Sequence, residues 1–311
     1  MAVYIVALDS GTHADASAAQ NAITGAGATI TETYSFNLTY KIDCTADQLA
    51  AIAGVSHSSL ESATETVTVN YSTDHLKHMA NPYNNSLARA YSPTYDGTGS
   101  HIYLLDTGIN ATHTEFSSAN IVNLHSNFQT DGNPDYTDAT GHGTAMASLI
   151  NGGNVGVSPS ASVYNIKFSN TNSGTVSVGD ILTSMNVALS HHNTNTPSTV
   201  KAVCMPWTTA KNSLIDAKLQ ELESHNMIVI CSAGNNAADV DSYSPAGLDQ
   251  VMTVGAYNNS YQVGAFGADA TWSGGGSGCN LGEEVDIYAL GTNVSIADSS
   301  NVSNYNTAYG T

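Results

Sequence analysis

From about residue 101 onward, short uninterrupted apolar runs alternate with stretches that read as helices. Ile102-Tyr103-Leu104-Leu105 and Met227-Ile228-Val229-Ile230-Cys231 are two such runs, and residues 162–168 and 200–205 supply two more. A strand that is apolar at consecutive positions is covered on both faces, the condition of a parallel sheet between helix layers. Helical stretches fall between them, at about residues 178–190 and 214–224. The alternation predicts an α/β fold with a doubly wound, mostly parallel sheet.

In open sheets of this kind, ligands meet the chain at the carboxyl ends of the strands. The first run ends in Asp106-Thr107-Gly108 and the last in Ser232-Ala233-Gly234-Asn235-Asn236. A carboxylate and an amide are thus candidates for one cleft. Each also has a plainer reading, since aspartate and asparagine serve as turn residues. A third stretch, Thr140-Gly141-His142-Gly143-Thr144-Ala145-Met146-Ala147, sets a histidine between glycines ahead of a small-residue helix. Flanking glycines let backbone approach a ligand closely. Alone, His142 reads as structural; beside Asp106 and Asn235 it reads as catalytic.

The strings YLLDTGIN, GHGTAMA, GVSPSASVYNIK, CSAGNNAADVDSYSPA and VDIYALGTNV, in this order, are spread from residue 103 to residue 294. Together they resemble the subtilisin-like serine proteases, and within them the proteinase K-like branch. The resemblance implies peptide-bond hydrolysis by an Asp-His-Ser triad. Asp106 would orient His142, His142 would act as general base and then general acid, and Asn235 would donate to the oxyanion. An extended peptide substrate would pair as an added strand against Ser173 and Gly174.

Across the cleft, Met205-Pro206-Trp207-Thr208 stands where the family carries a Ser-Leu-Gly-Gly-like segment. Pro206 removes a backbone donor, and Trp207 and Thr208 add bulk. Either the specificity pocket is filled or the loop is repacked on the same backbone; the sequence leaves both open. The resemblance also implies calcium (Ca2+), held by the carbonyls of Asp249 and Val251 with the carboxylate of Asp286. Hard oxygen donors suit that ion, though Asp286 could equally cap a turn.

Residues 1–71 read as a separate α+β unit. Strands at 3–8, 28–32, 36–42 and 66–71 alternate with helices at 13–25 and from Thr45, where Thr45-x-x-Gln48 is a capping box. The order β-α-β-β-α-β is the ferredoxin-like split motif. By position it resembles the subtilisin propeptide, an inhibitor and folding chaperone expected to stay docked on the protease domain. Residues 72–100 would form a linker and mature-like N-terminus, the exposed place for processing, and 101–311 the protease domain.

Seven basic residues against 26 acidic ones give a net charge of −19, which disfavours nucleic acid and anionic membranes as partners. No apolar stretch reaches the length of a membrane span. Four cysteines without ligand spacing give zinc no support; Cys204 and Cys231 read as small core hydrophobes. His191-His192 reads as a solvated helix end.

The family's nucleophile follows a Gly-Thr pair, and here Tyr309-Gly310-Thr311 closes the sequence. The expectation is a chain inert as a hydrolase by itself. A C-terminal fragment led by the serine, cut after Thr311 and still docked, would complete it; a sequence that merely breaks off there and a true stop are the alternatives. The rival function is a silent protease-fold component of a particle or filament. It suits a polar, lysine-poor surface and an extracellular or particle-associated setting.

Overall fold

The computed structural model describes residues 2–33, 38–60, 75–76, 79, 91, 94–116, 120–130, 132–170, 176–194, 201–258 and 278–311. The chain divides into two compact units, Met1–Thr66 and Val67–Thr311.

In the first unit, β1 (Ala2–Leu8), α1 (Ala16–Gly25), β2 (Thr29–Thr33), β3 (Thr39–Cys44), α2 (Ala46–Ala51) and β4 (Val55–Leu60) follow in turn. The sheet order is β2-β3-β1-β4 and every pairing is antiparallel. Asp15 caps α1 by accepting the Ala18 N–H at 2.9 Å. The capping box forms in both directions: Thr45 Oγ1 accepts from Gln48 N at 3.2 Å, and Gln48 Oε1 from Thr45 N at 2.8 Å. Val6, Ile23, Tyr40, Ile42 and Ile52 fill the core. The last strand differs from expectation. Residues 66–71 lie outside the described residues, and β4 comes earlier, in the polar string Val55-Ser56-His57-Ser58-Ser59-Leu60. An edge strand has one neighbour only, so its composition need not announce burial.

The second unit holds a seven-stranded sheet. Its strands are β5 (His101–Asp106), β6 (Asn120–Ser126), β7 (Ser162–Lys167), β8 (Lys201–Met205), β9 (Ile228–Ser232), β10 (Met252–Tyr257) and β11 (Ile287–Leu290). Their order is β11-β10-β9-β8-β5-β7-β6, and all pairs are parallel. The chain steps outward on one side of β5, returns, and continues from β8 on the other side. The order therefore reverses at β5, so Asp106 stands at the switch point where such sheets leave a crevice.

Helices α4 (Val178–Thr194) and α5 (Ser213–Ser224) cover one face. Ile181, Met185, Ala188 and Leu189 form the buried stripe of α4, and Ile215, Leu219 and Leu222 that of α5. They meet the sheet residues Tyr103, Leu105, Val203, Met205, Val229 and Cys231. Asn212 caps α5 through the N–H groups of Leu214 and Ile215. On the opposite face α3 (His142–Asn151) packs Ala147 with Leu104, Val163, Ile109 and Phe116. Further along that face Ile228, Met252 and Ile287 remain 46%, 45% and 53% exposed. A hairpin of β12 (Val294–Ala297) and β13 (Tyr305–Ala308) then leads to Thr311.

All four cysteines are free. His191 is a correction: it is no solvated end, because its ring lies 4.7 Å from that of Tyr164 and its Nδ1 is 3.0 Å from the Tyr103 hydroxyl. Helix α4 continues to Thr194, which carries that position back over the sheet. Among the described residues, no helix is long and apolar enough to cross a membrane.

Candidate active site

Asp106 ends β5 and is 2% exposed. Its Oδ1 accepts the N–H of Thr107 at 2.7 Å, which fixes the carboxylate plane. Opposite it, Gly141 takes φ +92° and turns the chain so that His142 opens α3. A side chain at Gly143 would collide with the Gly108 carbonyl and crowd Asp106, so the end of β5 and the start of α3 close only over glycine. The result is a direct pairing. His142 Nδ1 lies 2.8 Å from Asp106 Oδ1 and 2.9 Å from Oδ2.

An ionised carboxylate only accepts, so Nδ1 carries the proton and Nε2 is left as the basic nitrogen. The Asp106 charge raises the pKa of His142 above the ordinary imidazole value; desolvation opposes this, and Asp138 adds to it.

Asn235 follows β9 in a turn where Gly234 has φ +98°. The turn is shaped by Asn280, a buried residue that sequence reasoning missed. Its Oδ1 accepts from Asn236 N and Ala238 N, and its Nδ2 donates to Ala233 O. No local pattern around Asn280 signals this, because its partners lie more than forty positions away. Thr311 gives both its N–H and its hydroxyl to Asn235 Oδ1 at 3.1 Å, and Gly234 N donates to the Thr311 hydroxyl at 3.0 Å.

Asp106, His142, Asn235, Pro206, Trp207 and Thr311 all line one cavity of about 960 Å³ at the carboxyl edge of the sheet. Trp207 is anchored: its indole N–H donates to Leu105 O at 2.9 Å and its ring lies 5.1 Å from Phe168. Thr208 sits against Gly234, whose missing Cβ would come within 3.0 Å of Thr208 Oγ1. Met205, expected beside substrate, has a fully buried side chain in the α4–α5 core, because it occupies the inward phase of β8. Ser173 and Gly174 lie outside the described residues.

For the expected calcium set, Val251 is buried, and Asp286 Oδ2 accepts the Thr253 N–H at 2.7 Å while Asp286 N donates to Thr253 O. That double tie fastens the start of β11 to the start of β10. Among the described residues, no group of three His, Cys, Asp or Glu side chains is arranged to hold a metal.

The family model described as the Subtilase family matches residues 97–311. Proteinase R of Parengyodontium album is 30% identical over 200 residues, 64% of this chain and 46% of that protein. Proteinase T of the same organism is 31% identical over 205 residues, 65% of this chain and 64% of that protein. The chain thus spans less than two thirds of either relative. A crystal structure of a cold adapted subtilisin-like serine proteinase superposes with a TM-score of 0.63 at 24% identity, covering 76% of this chain and 78% of that one. That likeness is one of fold.

Proposed function

Because the chain belongs to the subtilase family, we propose that it is the scaffold of a serine endopeptidase whose base is His142 and whose nucleophile is supplied by a serine following Thr311. The observation that carries this reading is the bidentate approach of Asp106 to His142 Nδ1, at 2.8 and 2.9 Å. It leaves Nε2 unengaged by the acid, on a residue that lines one cavity with Asn235 and Thr311.

In the proposed reaction, the serine hydroxyl oxygen adds to the peptide carbonyl carbon as its proton moves to Nε2. The oxyanion that forms accepts from Asn235 Nδ2, the end of the amide not engaged by Thr311, and from the nucleophile's own N–H. Asp106 stabilises the imidazolium. Collapse of the intermediate breaks the C–N bond as Nε2 returns the proton to the departing amine. Water then adds to the acyl carbon as its proton passes to Nε2, and the acyl–oxygen bond breaks as Nε2 returns that proton to the serine oxygen.

The nucleophile would arrive on a C-terminal segment, continuous or cleaved and docked, whose apolar helix would cover Ile228, Met252 and Ile287. Residues 1–71 would act as an inhibitor-type propeptide, and an extracellular or particle-borne setting suits the composition. Ca2+ would bind the carbonyls of Asp249 and Val251 with the Asp286 oxygen not taken by Thr253. An unchanged melting temperature on adding calcium chloride to chelator-treated protein would remove that site.

The decisive experiment joins the chain to its downstream segment and exposes it to a fluorophosphonate probe. Labelling that disappears in His142→Ala supports the endopeptidase; silence of the folded, complete protein overturns it. A second reading, a catalytically silent protease-fold component, is favoured by Trp207 and Thr208 filling the cleft wall. It predicts that silence.

A further inference from the structure

Asp138 lies in the loop before α3 and collects donors from both sides of the site. Its Oδ1 accepts from the Thr107 hydroxyl at 2.8 Å, Gly141 N at 2.8 Å and Thr140 N at 3.1 Å. Its Oδ2 accepts from Thr144 N at 2.8 Å and the Thr144 hydroxyl at 2.6 Å. Gly141, the residue in the N-cap position of α3, has no side chain to do this. Asp138 therefore caps the helix from three residues before the N-cap position, with its charge at the positive end of the helix dipole.

Capping alone does not explain the bond to Thr107. Thr107 directly follows Asp106, and its hydroxyl, while donating to Asp138, accepts the N–H of Gly143 at 3.0 Å. Gly143 directly follows His142. The carboxylate thus ties the residue after the acid to the residue after the base. Thr144 extends the tie, because its hydroxyl also accepts the N–H of Asn110 from the loop after β5.

We infer that Asp138 is a positioning residue: it locks the β5 end to the α3 start through Thr107 and so holds Asp106 and His142 in register, and its charge supports the imidazolium. The inference rests on the proposed protease reading for its purpose, though not for its geometry. Charged groups around His142 are Asp106 from β5, Asp138 from the preceding loop, and Asp298 of the β12–β13 hairpin, which lines the same cavity. The wall segments 205–209 and 232–236 carry none.

The test is NMR of the full chain with labelled histidine, the His142 signals being assigned by their loss in His142→Gln. Asp138→Asn should move the His142 titration midpoint down and weaken the low-field Nδ1–H resonance of the Asp106 bond. A role in capping alone would lower stability and leave that resonance in place. Should Asp138→Asn not fold, Thr107→Val removes the bridging hydroxyl without touching charge, and Thr107→Ser restores it. Loss of the low-field resonance in Thr107→Val with recovery in Thr107→Ser upholds the inference. A folded Asp138→Asn with unchanged midpoint and resonance, or a Thr107→Val with the resonance intact, overturns it. No nucleophile is needed, so the probe-labelling result stands or falls separately.

Discussion

Trp207 donates its indole N–H to the carbonyl oxygen of Leu105, one residue before Asp106. The residue that departs most from the expected glycine-rich wall thus braces the strand that carries the acid. Trp207→Phe would keep the contact with Phe168 and remove the donor, leaving a buried carbonyl without it. A loss of about 1–3 kcal/mol in urea unfolding is expected. A change within a few tenths would mean that the bond does not brace β5.

The raised pKa of His142 has a signed consequence for stability. Its protonated form gains more in the folded state, so this contribution is complete below the unfolded imidazole value near 6.5 and vanishes as pH rises through the folded one. Chemical denaturation of wild type and His142→Gln between about pH 5.5 and pH 9 should show a wild-type advantage that shrinks with rising pH. Hydrolysis by the completed site should gain its basic form later than an ordinary imidazole would allow.

At the opposite end of the sheet the sign reverses. His101, His191 and His192 are held below the ordinary value by burial first, with Lys201 adding repulsion to each. Their contribution is present above the unfolded value near 6.5 and lost as pH falls through the folded one. His101→Phe retains a ring against Tyr164, 5.1 Å away in the native protein, and removes one titration. The fall in stability between about pH 7 and pH 5 should be shallower than in wild type; an equal slope would dismiss the cluster as its source.

Glu115 is 1% exposed and accepts from Asn154 N, Asn154 Nδ2, Val155 N and the Tyr305 hydroxyl. It joins the loop after α3 to the hairpin that leads to Thr311. Glu115→Ala would strand the buried Val155 N–H, at about 1–3 kcal/mol for an unsatisfied group. Thermal unfolding should fall by several degrees, with Glu115→Gln affected less.

Much of the site was legible because each part announces itself locally. Asp106 and Asn235 end apolar runs, and His142 stands between glycines; strand ends in a parallel sheet converge on one edge whatever the loops do. The cleft wall was legible only as an anomaly. Whether Trp207 filled the cleft or was repacked depended on Leu105, 102 positions away. Met205, named for the substrate wall, turns its side chain into the α4–α5 core because strand alternation decides inside from outside one residue at a time.

The amino-acid order by itself determined the alternation of strands and helices, the capping box at Thr45, and the candidate acid, base and amide. Those are written in short-range periodicity and turn chemistry, which act over a few residues. Packing alone decided that β4 would form from a polar string, that Asp138 would bridge Thr107 to α3, and that Asn280 would mould the turn of Asn235. Each depends on hydrogen-bonding groups whose partners lie across folds of the chain, and a buried polar group finds its partner only once the surrounding core has closed.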